Sequence, residues 1–363
     1  MTARLNQIRI EGFKSIREAD LELRRLNALI GGNGSGKSNF IGLFGFLNDI
    51  VEGRLQLSAR KAGGADTLLH FGRKRTPKMA LHLRSGMNGY RIELAATTDD
   101  GLAFELEQCE FWGQGYDQPD VHPAERGHLE SVLPGAAKKH PGKVADHVLR
   151  LLKSWRIYHF HDTSESAPVK GLGAIEDNER LRENAENLAA FLLAVSQQAP
   201  AQYQQILTTV RMVAPFFDDF RLRESPLSPG KIKLEWRENG SDAYINAHSM
   251  SDGTLRFVCL ATLLLQPDLP GTILLDEPEL GLHPYAIEVL AALLRRAAQR
   301  TQVIVSTQSV SLVNQFGPED LLVVERDQGA TVFKRPTPDE GWQEEYGLGD
   351  LWEKNVLGGR PWR

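Results

Sequence analysis

Cysteine is scarce in this sequence. Only Cys109 and Cys259 occur among the 363 residues, and they lie far apart without the spacing of metal ligands. A disulfide framework and a zinc site are therefore not expected, and a reducing environment is indicated. We expect both cysteines to be buried as small hydrophobic side chains.

Long apolar runs are missing as well. The longest, Phe257 to Leu265, is much shorter than the ~20 residues that a membrane-spanning helix needs. Residues 1–6 also lack the apolar core of a secretory signal. We therefore expect a cytoplasmic chain that has no membrane partner.

Basic residues are not in excess, because the formal net charge is −5 at pH 7. This balance gives no overall attraction to the phosphate backbone of nucleic acids, so any contact with DNA must be local. The first candidate is the segment 73–75 together with Lys78, although a solvated charged loop is the favoured interpretation there. Lys138, Lys139 and Lys143 form a weaker second candidate.

The sequence does contain a complete phosphate-binding loop. Residues 31–38 read Gly-Gly-Asn-Gly-Ser-Gly-Lys-Ser, between the apolar run Leu26 to Ile30 and the apolar-periodic stretch Phe40 to Ile50. The loop therefore joins a predicted buried strand to a predicted helix, which is the context this motif requires. Its glycines let successive backbone N–H groups turn inward around phosphate oxygens. The predicted ligand is ATP.

Individual residues of the loop have distinct expected roles. Lys37 supplies a positive charge for the β- and γ-phosphates, and the Ser38 hydroxyl is placed to ligate Mg²⁺. A chance glycine-rich turn is the alternative, which the flanking strand and helix disfavour. The residues expected to bind the nucleotide are Gly31, Asn33, Gly34, Ser35, Gly36, Lys37, Ser38 and Asn39.

Two adjacent carboxylates follow a second apolar strand, predicted at Thr272 to Leu275. We expect Asp276 to hold the Mg²⁺, through a bound water, and Glu277 to orient or deprotonate the attacking water beside the γ-phosphate. The alternative is that both carboxylates only cap the next helix.

A third motif lies at residues 249–254, which read Ser-Met-Ser-Asp-Gly-Thr and open a predicted apolar helix. It resembles the Leu-Ser-Gly-Gly-Gln signature of ABC-type ATPases, with matches at Ser251 and Gly253 and departures at the other three positions. The resemblance implies a head-to-tail homodimer in which each signature contacts the ATP held by the partner's phosphate loop. The alternative is an ordinary helix cap without a ligand.

The order of these motifs, and the residues around them, resemble the RecF/SMC/OLD-like branch of the ABC-type AAA family ATPases rather than transporters. Ile8 to Ile16 is similar to the opening strand and turn of that branch, and Asp276 to Pro284 to its acidic motif and D-loop. His283 stands where transporters usually have Asp; a role before the next helix and a role across the dimer are about equally favoured. No heptad run is long enough for the coiled-coil arm of true SMC proteins.

The last motif is the apolar strand predicted at Val303 to Val305, with Gln308 where the family commonly carries a switch histidine. An amide can hydrogen-bond the γ-phosphate or the attacking water but cannot become charged. We therefore assign catalytic roles to Lys37, Glu277 and Gln308, with a purely structural cap as the alternative for Gln308. No clear Q-loop glutamine is present, and the segment around His70 is interpreted as a surface turn outside the site.

These signals predict an α/β P-loop fold, an ABC-type head with a mixed central sheet, an antiparallel β lobe and an inserted helical lobe. Residues 1–112 would form the N-terminal ATPase lobe, residues 113–218 the mainly helical insertion and residues 219–363 the C-terminal ATPase lobe. Strands are expected at 79–83, 90–96 and 102–111, and helices at 144–155, 181–195 and 203–210. The tail from Pro318 carries no nuclease motif, so closing strands and a terminal helix are expected there.

The resemblance favours an ATPase whose nucleotide-dependent pairing acts on DNA or on a partner effector, such as a nuclease or toxin-like protein, in DNA repair or antiphage defence. The alternative is a nucleotide-gated sensor or scaffold that restrains an effector with little turnover. Gln308 and the altered signature favour this alternative.

Overall fold

The computed structural model describes residues 4–113, 115, 118–122, 126–336 and 346–359. Its strands, in chain order, are β1 Gln7–Phe13, β2 Ile16–Glu22, β3 Leu26–Ile30, β4 Lys78–Ser85, β5 Asn88–Ala96, β6 Leu102–Phe111, β7 Asp120–His122, β8 Trp155–Tyr158, β9 Gly173–Ala174, β10 Phe217–Arg221, β11 Glu224–Ser225, β12 Ser228–Ile232, β13 Glu235–Glu238, β14 Tyr244–Asn246, β15 Thr272–Asp276, β16 Gln302–Thr307, β17 Leu321–Asp327 and β18 Ala330–Lys334.

The α-helices are α1 Lys37–Val51, α2 Leu55–Lys61, α3 Ala65–Leu68, α4 Leu133–Lys139, α5 Val144–Lys153, α6 Leu188–Gln198, α7 Pro200–Val213, α8 Asp252–Leu265, α9 Pro284–Arg300, α10 Val310–Val313 and α11 Leu348–Glu353. Two 3-10 turns lie at Pro168–Lys170 and Ala247–Ser249. Within the described residues, no helix combines the length and apolar character needed to cross a membrane.

The central sheet has the strand order β18-β17-β3-β16-β15-β8. All its neighbouring pairs are parallel except β17 with β18. β3 and β16 are buried at every residue, as expected for parallel strands that are covered by helices on both faces. Because the strands are parallel, the residues that follow β3, β15, β16 and β8 meet at one edge of the sheet.

Helices cover the two faces of this sheet. α1 packs in one hydrophobic cluster with the antiparallel sheet β2-β1-β4-β5-β6-β7. α8 and α9 pack in the second cluster on the opposite face. The antiparallel strands expected at 79–83, 90–96 and 102–111 are therefore confirmed, as is the α/β fold with a mixed central sheet.

The helices of the predicted insertion do not form one lobe. α5 packs beside α1, whereas α6 and α7 pack in the cluster of α8 and α9 on the other face of the sheet. α7 packs on α8 and α9, and α6 packs on α7, rather than on the sheet itself. The three helices therefore belong to two hydrophobic clusters and do not form a separate core.

Trp155 is not helical as expected, because α5 ends at Lys153 and the chain enters β8. β8 pairs in parallel with β15, so the predicted insertion contributes an edge strand to the ATPase sheet. Trp155 is fully buried with its ring 4.9 Å from that of Phe44 on α1. Leu181 was also expected to be helical, but it precedes the observed helix α6, which begins at Leu188.

The expected closing strands and terminal helix are found as β17, β18 and α11. Residues 337–345 and 360–363 of that predicted tail lie outside the described residues.

Candidate nucleotide site

The phosphate-binding loop connects β3 to α1, as predicted. Gly34 and Gly36 have φ of +76° and +113°, which side chains rarely adopt. A Cβ on Gly36 would also collide with the Thr331 side chain, so only glycine fits there. The loop is supported from outside, since Thr331 Oγ1 donates to the Ser35 carbonyl at 2.8 Å and bonds the Ser15 hydroxyl.

Lys37 points back into this loop. Its buried Nζ donates to the carbonyl oxygens of Gly31 at 2.5 Å and Gly32 at 3.1 Å. Burial lowers the pKa of Lys37, and the nearby carboxylates of Glu277, Asp276 and Glu279 oppose that effect. The Lys37 side chain thus places its Nζ at the centre of the loop.

Ser35 provides a second sign that the loop fits an anion. Its hydroxyl oxygen is buried and has no hydrogen-bond partner among the described residues. Such orphaned polar groups are uncommon in folded proteins. Together with Lys37 and the glycine backbone, this hydroxyl suits the phosphate groups of a nucleotide.

Ser38 and Asp276 face each other across the edge of the sheet. Ser38 Oγ donates to Asp276 Oδ2 at 3.4 Å, and the Ser306 hydroxyl donates to Asp276 Oδ1. A hydroxyl and a carboxylate are the hard oxygen ligands that Mg²⁺ prefers when phosphates complete its shell. In the described part of the chain, no set of three or more His, Cys, Asp or Glu forms a separate metal site.

Glu277 adopts a left-handed backbone conformation with φ of +43°. This is uncommon for a residue other than glycine and is typical of functional sites. Its backbone N–H donates to the Ser306 carbonyl at 3.0 Å, and its carboxylate accepts a hydrogen bond from the Gln308 amide. The two residues predicted to act on the attacking water are therefore in direct contact.

Glu279 is a site residue that the sequence did not single out. Its Oε1 accepts hydrogen bonds from the Thr307 hydroxyl and from the backbone N–H of Gln308 at 3.3 Å. Its Oε2 is buried without a partner among the described residues. Burial raises the pKa of this carboxyl group, although its hydrogen bonds act in the opposite direction. The pattern Asp-Glu-Pro-Glu was the available signal.

The signature residues lie at the start of α8. The Ser251 hydroxyl caps this helix, accepting from the Thr254 N–H at 3.2 Å. Gly253 packs closely against the segment between Glu277 and Pro284, called the D-loop segment below. An added Cβ on Gly253 would lie 2.6 Å from the Gly281 carbonyl oxygen. Among the described residues, Ser251 is hydrogen-bonded to Thr254 and Leu255, and no hydrogen bond joins Ser251 or Gly253 to the phosphate loop of the same chain.

Arg256 connects this helix to its surroundings. The buried guanidinium donates to the carbonyl oxygens of Phe160 at 2.9 Å, His161 at 3.1 Å and Leu280. Burial lowers the pKa of Arg256, while the nearby Asp252 opposes the shift. One side chain, that of Arg256, thus joins α8 to the D-loop segment and to the residues after β8.

His283 is the N-cap of α9, where its Nδ1 accepts from the Tyr285 N–H at 3.4 Å and Pro284 occupies the first helical turn. The geometry therefore shows the capping role that the sequence suggested. Its exposed ring leaves the second suggestion, contact across a dimer, as a prediction.

His70 is not on a surface turn as interpreted from the sequence. It is 5% exposed, and its Nδ1 lies 2.7 Å from the Lys14 carbonyl oxygen. A bridge between Phe13 and Leu69 holds the segment against the sheet. Beside the phosphate loop lies a cleft of about 1020 Å³, large enough for a nucleoside, whose lining includes Lys14, Ser15, Asn39, His70, Phe71 and Arg326.

The segment after β8 reaches the same edge of the sheet. Tyr158 is paired with Leu275, so the next residue, His159, is level with Asp276. Residues 159–162 read His-Phe-His-Asp. These polar residues were missed because β8 is short and follows a helix directly. An apolar run that ends in polar side chains was the available signal.

The sequence matches a protein-family model and two curated proteins. Residues 143–314 match a family model described as "AAA domain, putative AbiEii toxin, Type IV TA system". Among curated proteins, the chain is 22% identical to an OLD nuclease of Thermus scotoductus, over 98% of this chain and 68% of that protein. It is 29% identical to the Septu protein PtuA of Bacillus thuringiensis, over 34% of this chain and 33% of that protein.

Solved structures share the fold. An SMC head bound to the C-winged helix domain of ScpA superposes with a TM-score of 0.59 at 16% identity, covering 93% of this chain and 99% of that one. An Smc head domain with an extended coiled coil, from Pyrococcus furiosus, gives a TM-score of 0.53 at 15% identity, covering 97% and 98%. At these identities the likeness establishes the architecture alone.

Proposed function

Because the chain is an ABC-type ATPase of the RecF/SMC/OLD branch, we propose that it binds ATP with Mg²⁺, hydrolyses it, and pairs head to tail around two nucleotides. The observation that carries this proposal is the convergence of Lys37, Ser38, Asp276, Glu277 and Gln308 at one edge of the central sheet. The sequence distance between these residues makes a chance cluster of this chemistry improbable.

Each residue has a defined task in this proposal. Lys37 exchanges its two carbonyl contacts for phosphate oxygens, while Ser38 and Asp276 hold the metal. A bound Mg²⁺ neutralises charge on the β- and γ-phosphates. Glu277 accepts the proton of the attacking water at its carboxylate, and the Gln308 amide orients that carboxylate.

In this proposal, pairing brings the signature of one chain to the nucleotide held by the other. The N-terminus of α8, with the Ser251 hydroxyl and the bare backbone of Gly253, forms a second anion-binding surface. Since its contacts do not reach the phosphate loop of its own chain, the nucleotide of a second copy is the proposed target. In this proposal residues 1–112 and 219–363 supply the ATPase lobes and 113–218 the insertion, apart from β8.

Steady-state ATP turnover tests the enzyme proposal. Glu277→Gln is expected to lower kcat by at least about a hundredfold with ATP binding retained, because general base catalysis contributes roughly 10²–10⁴-fold. Glu288→Gln, an exposed change of the same chemistry on α9, is the control and should retain the parental rate. Equal rates for the Glu277 variant and the control would refute the proposal.

A second experiment tests pairing. Ser251→Arg is expected to abolish hydrolysis and ATP-dependent dimerisation while leaving ATP binding by the monomer intact. Thr208→Arg adds the same side chain to the exposed face of α7 and serves as the control. Hydrolysis at the parental rate in the Ser251 variant contradicts the trans role of the signature.

We further propose that pairing controls DNA or a partner effector. The relatives called OLD nuclease and Septu protein PtuA, and the family description that mentions a toxin, support a nuclease or toxin-like effector in defence, with DNA repair as the other setting. Co-purification of the tagged chain with its native partners, with Glu277→Gln used to retain ATP, tests this. Recovery of the chain alone in both forms counts against a stable effector.

One observation favours the second candidate, a nucleotide-gated sensor with little turnover. Gln308 contacts Glu277 with a neutral amide, which cannot carry a charge at any pH near neutrality. Tight ATP binding and dimerisation with negligible hydrolysis in the parental protein would support the sensor.

A further inference from the structure

Five arginines line one cleft at the end of the central sheet opposite the phosphate loop. The cleft has a volume of about 840 Å³ and lies at the amino end of β3, which the loop follows at the other end. Its basic residues come from four separate parts of the chain: Arg4, Arg24, Arg25, Arg84 and Arg295.

The charges of these arginines are not compensated by ion pairs among the described residues. Three guanidinium groups are held by carbonyl oxygens instead, those of Glu319 and Gln299, each at 2.7 Å, and that of Gln315. The Arg84 guanidinium lies 4.2 Å from the centre of the Trp112 ring. Carbonyl and aromatic contacts orient a guanidinium without neutralising it.

The remaining lining leaves the cleft positive. It includes two carboxylates, Glu22 and Asp320, against the five arginines. This local excess contrasts with the net charge of −5 for the whole chain. The cleft is therefore a concentrated anion-attracting surface on an otherwise acidic protein.

The basic segment suggested by the sequence is partly neutralised. Arg73 is paired with Asp66 and Asp100, and Lys78 is paired with Glu93 at 2.6 Å and with Glu105 at 3.5 Å. These partners compensate two of its four basic residues, whereas Arg75 lies over the Phe71 ring at 5.2 Å. The segment 73–75 with Lys78 therefore keeps fewer uncompensated charges than the arginine cleft.

The lining also indicates the kind of ligand. Its apolar side chains, Leu23, Leu26 and Ala298, are all buried, so none of them forms an open pocket for an anchoring side chain. Peptide recognition commonly needs an apolar pocket for an anchoring side chain. A nucleic-acid backbone needs positive charge and hydrogen-bond donors, which arginine provides to phosphate in a fixed fork.

We propose that this arginine cleft binds the phosphate backbone of nucleic acid. The inference rests on the DNA-directed form of the proposed function and assigns that contact to the edge of the sheet remote from the nucleotide. Substitutions in the cleft are therefore expected to change DNA binding without changing ATP hydrolysis measured in the absence of DNA.

Fluorescence anisotropy with a short labelled DNA duplex tests the assignment. The triple variant Arg24→Gln, Arg25→Gln, Arg295→Gln removes three charges but retains amide donors for the carbonyl contacts. Loss of three phosphate contacts should reduce the slope of log K against log salt by about 2.7 and weaken binding on the order of a hundredfold at about 0.1 M salt. Thermal melting and ATP turnover without DNA, both expected at parental values, establish that the variant is folded.

A second triple variant, Lys138→Gln, Lys139→Gln and Lys143→Gln, removes three charges from the competing basic cluster that the sequence suggested, all at exposed positions. It should retain parental DNA affinity and salt slope. Equal losses in both triple variants, or no loss in the arginine variant, overturn the proposal. Binding of a poly-glutamate peptide in place of DNA, abolished by the arginine variant, also overturns it in favour of a protein partner. If the parental protein does not hydrolyse ATP, the enzyme proposal is refuted. The DNA-binding result can still be interpreted, because anisotropy does not depend on hydrolysis.

Discussion

Glu279 provides the sharpest test of how the segment after β15 is attached to the end of β16. The experiment compares Glu279→Gln with Glu279→Ala. Glutamine retains a carbonyl oxygen where Oε1 accepts from Thr307 and Gln308, whereas alanine removes the acceptor altogether. The two variants thus separate the need for an acceptor from the need for a charge.

The magnitude follows from the two donors. Without Glu279 the buried Thr307 hydroxyl and the Gln308 N–H lose their acceptor, at about 1–3 kcal/mol each. We therefore expect Glu279→Ala to lower the free energy of unfolding by roughly 2–6 kcal/mol. Glu279→Gln should change it much less, since the unpartnered Oε2 makes no hydrogen bond that an amide nitrogen would interrupt.

The pH dependence has a definite sign. Burial raises the pKa of Glu279, so the folded protein holds this proton more tightly than the unfolded chain does. The resulting stability is fully present below the unfolded pKa of about 4.3 and is lost as pH rises through the folded pKa. Glutamine does not titrate. The stability of Glu279→Gln relative to the parent should therefore increase with rising pH and then level off above the folded pKa.

Urea unfolding between about pH 5 and pH 8 measures both effects. Glu288→Gln, the same change of side chain at an exposed position on α9, is the control. Two results would refute the reasoning: a Gln variant as unstable as the Ala variant, or a difference between Gln variant and parent that does not vary with pH.

Three further substitutions test other parts of the structure. Gly36→Ala should abolish ATP binding in a calorimetric titration, because φ of +113° and the Thr331 side chain both exclude a Cβ; binding near the parental Kd would contradict this. Gly253→Ala should lower kcat and retain nucleotide binding, since the new Cβ forces the signature helix away from Gly281; parental turnover would contradict it. Trp155→Ala should lower the free energy of unfolding by about 3–5 kcal/mol in urea, and a loss under 1 kcal/mol would show that the β8 edge can be repacked.

The nucleotide edge of the fold could be predicted because its signals are local. β3, β15 and β16 are apolar runs, and each is followed within a few residues by the polar groups of the site. Parallel strands bring such groups together whatever lies between them in sequence. The glycine pattern and the adjacent acids then specified the ligand chemistry.

The remaining features depend on contacts between distant residues. β8 follows α5 almost directly, so the helical period of α5 obscured a short strand that is defined only by its pairing with β15. The role of Glu279 depends on Thr307 and Gln308, to which no sequence spacing points. The arginine cleft combines positions from Arg4 to Arg295, each unremarkable in its own segment.

The contacts around Arg256 suggest how the two nucleotide surfaces of one chain are linked. The D-loop segment continues directly from Asp276 and Glu277, and its Leu280 carbonyl accepts from Arg256. Gly253 and Gly281 approach so closely that α8 cannot shift without moving this segment. In the proposed dimer, a displacement of the acidic pair would therefore be transmitted over a short path to the signature that is proposed to face the partner. Close packing of this kind favours discrete arrangements over gradual deformation, which is what a nucleotide-dependent switch requires.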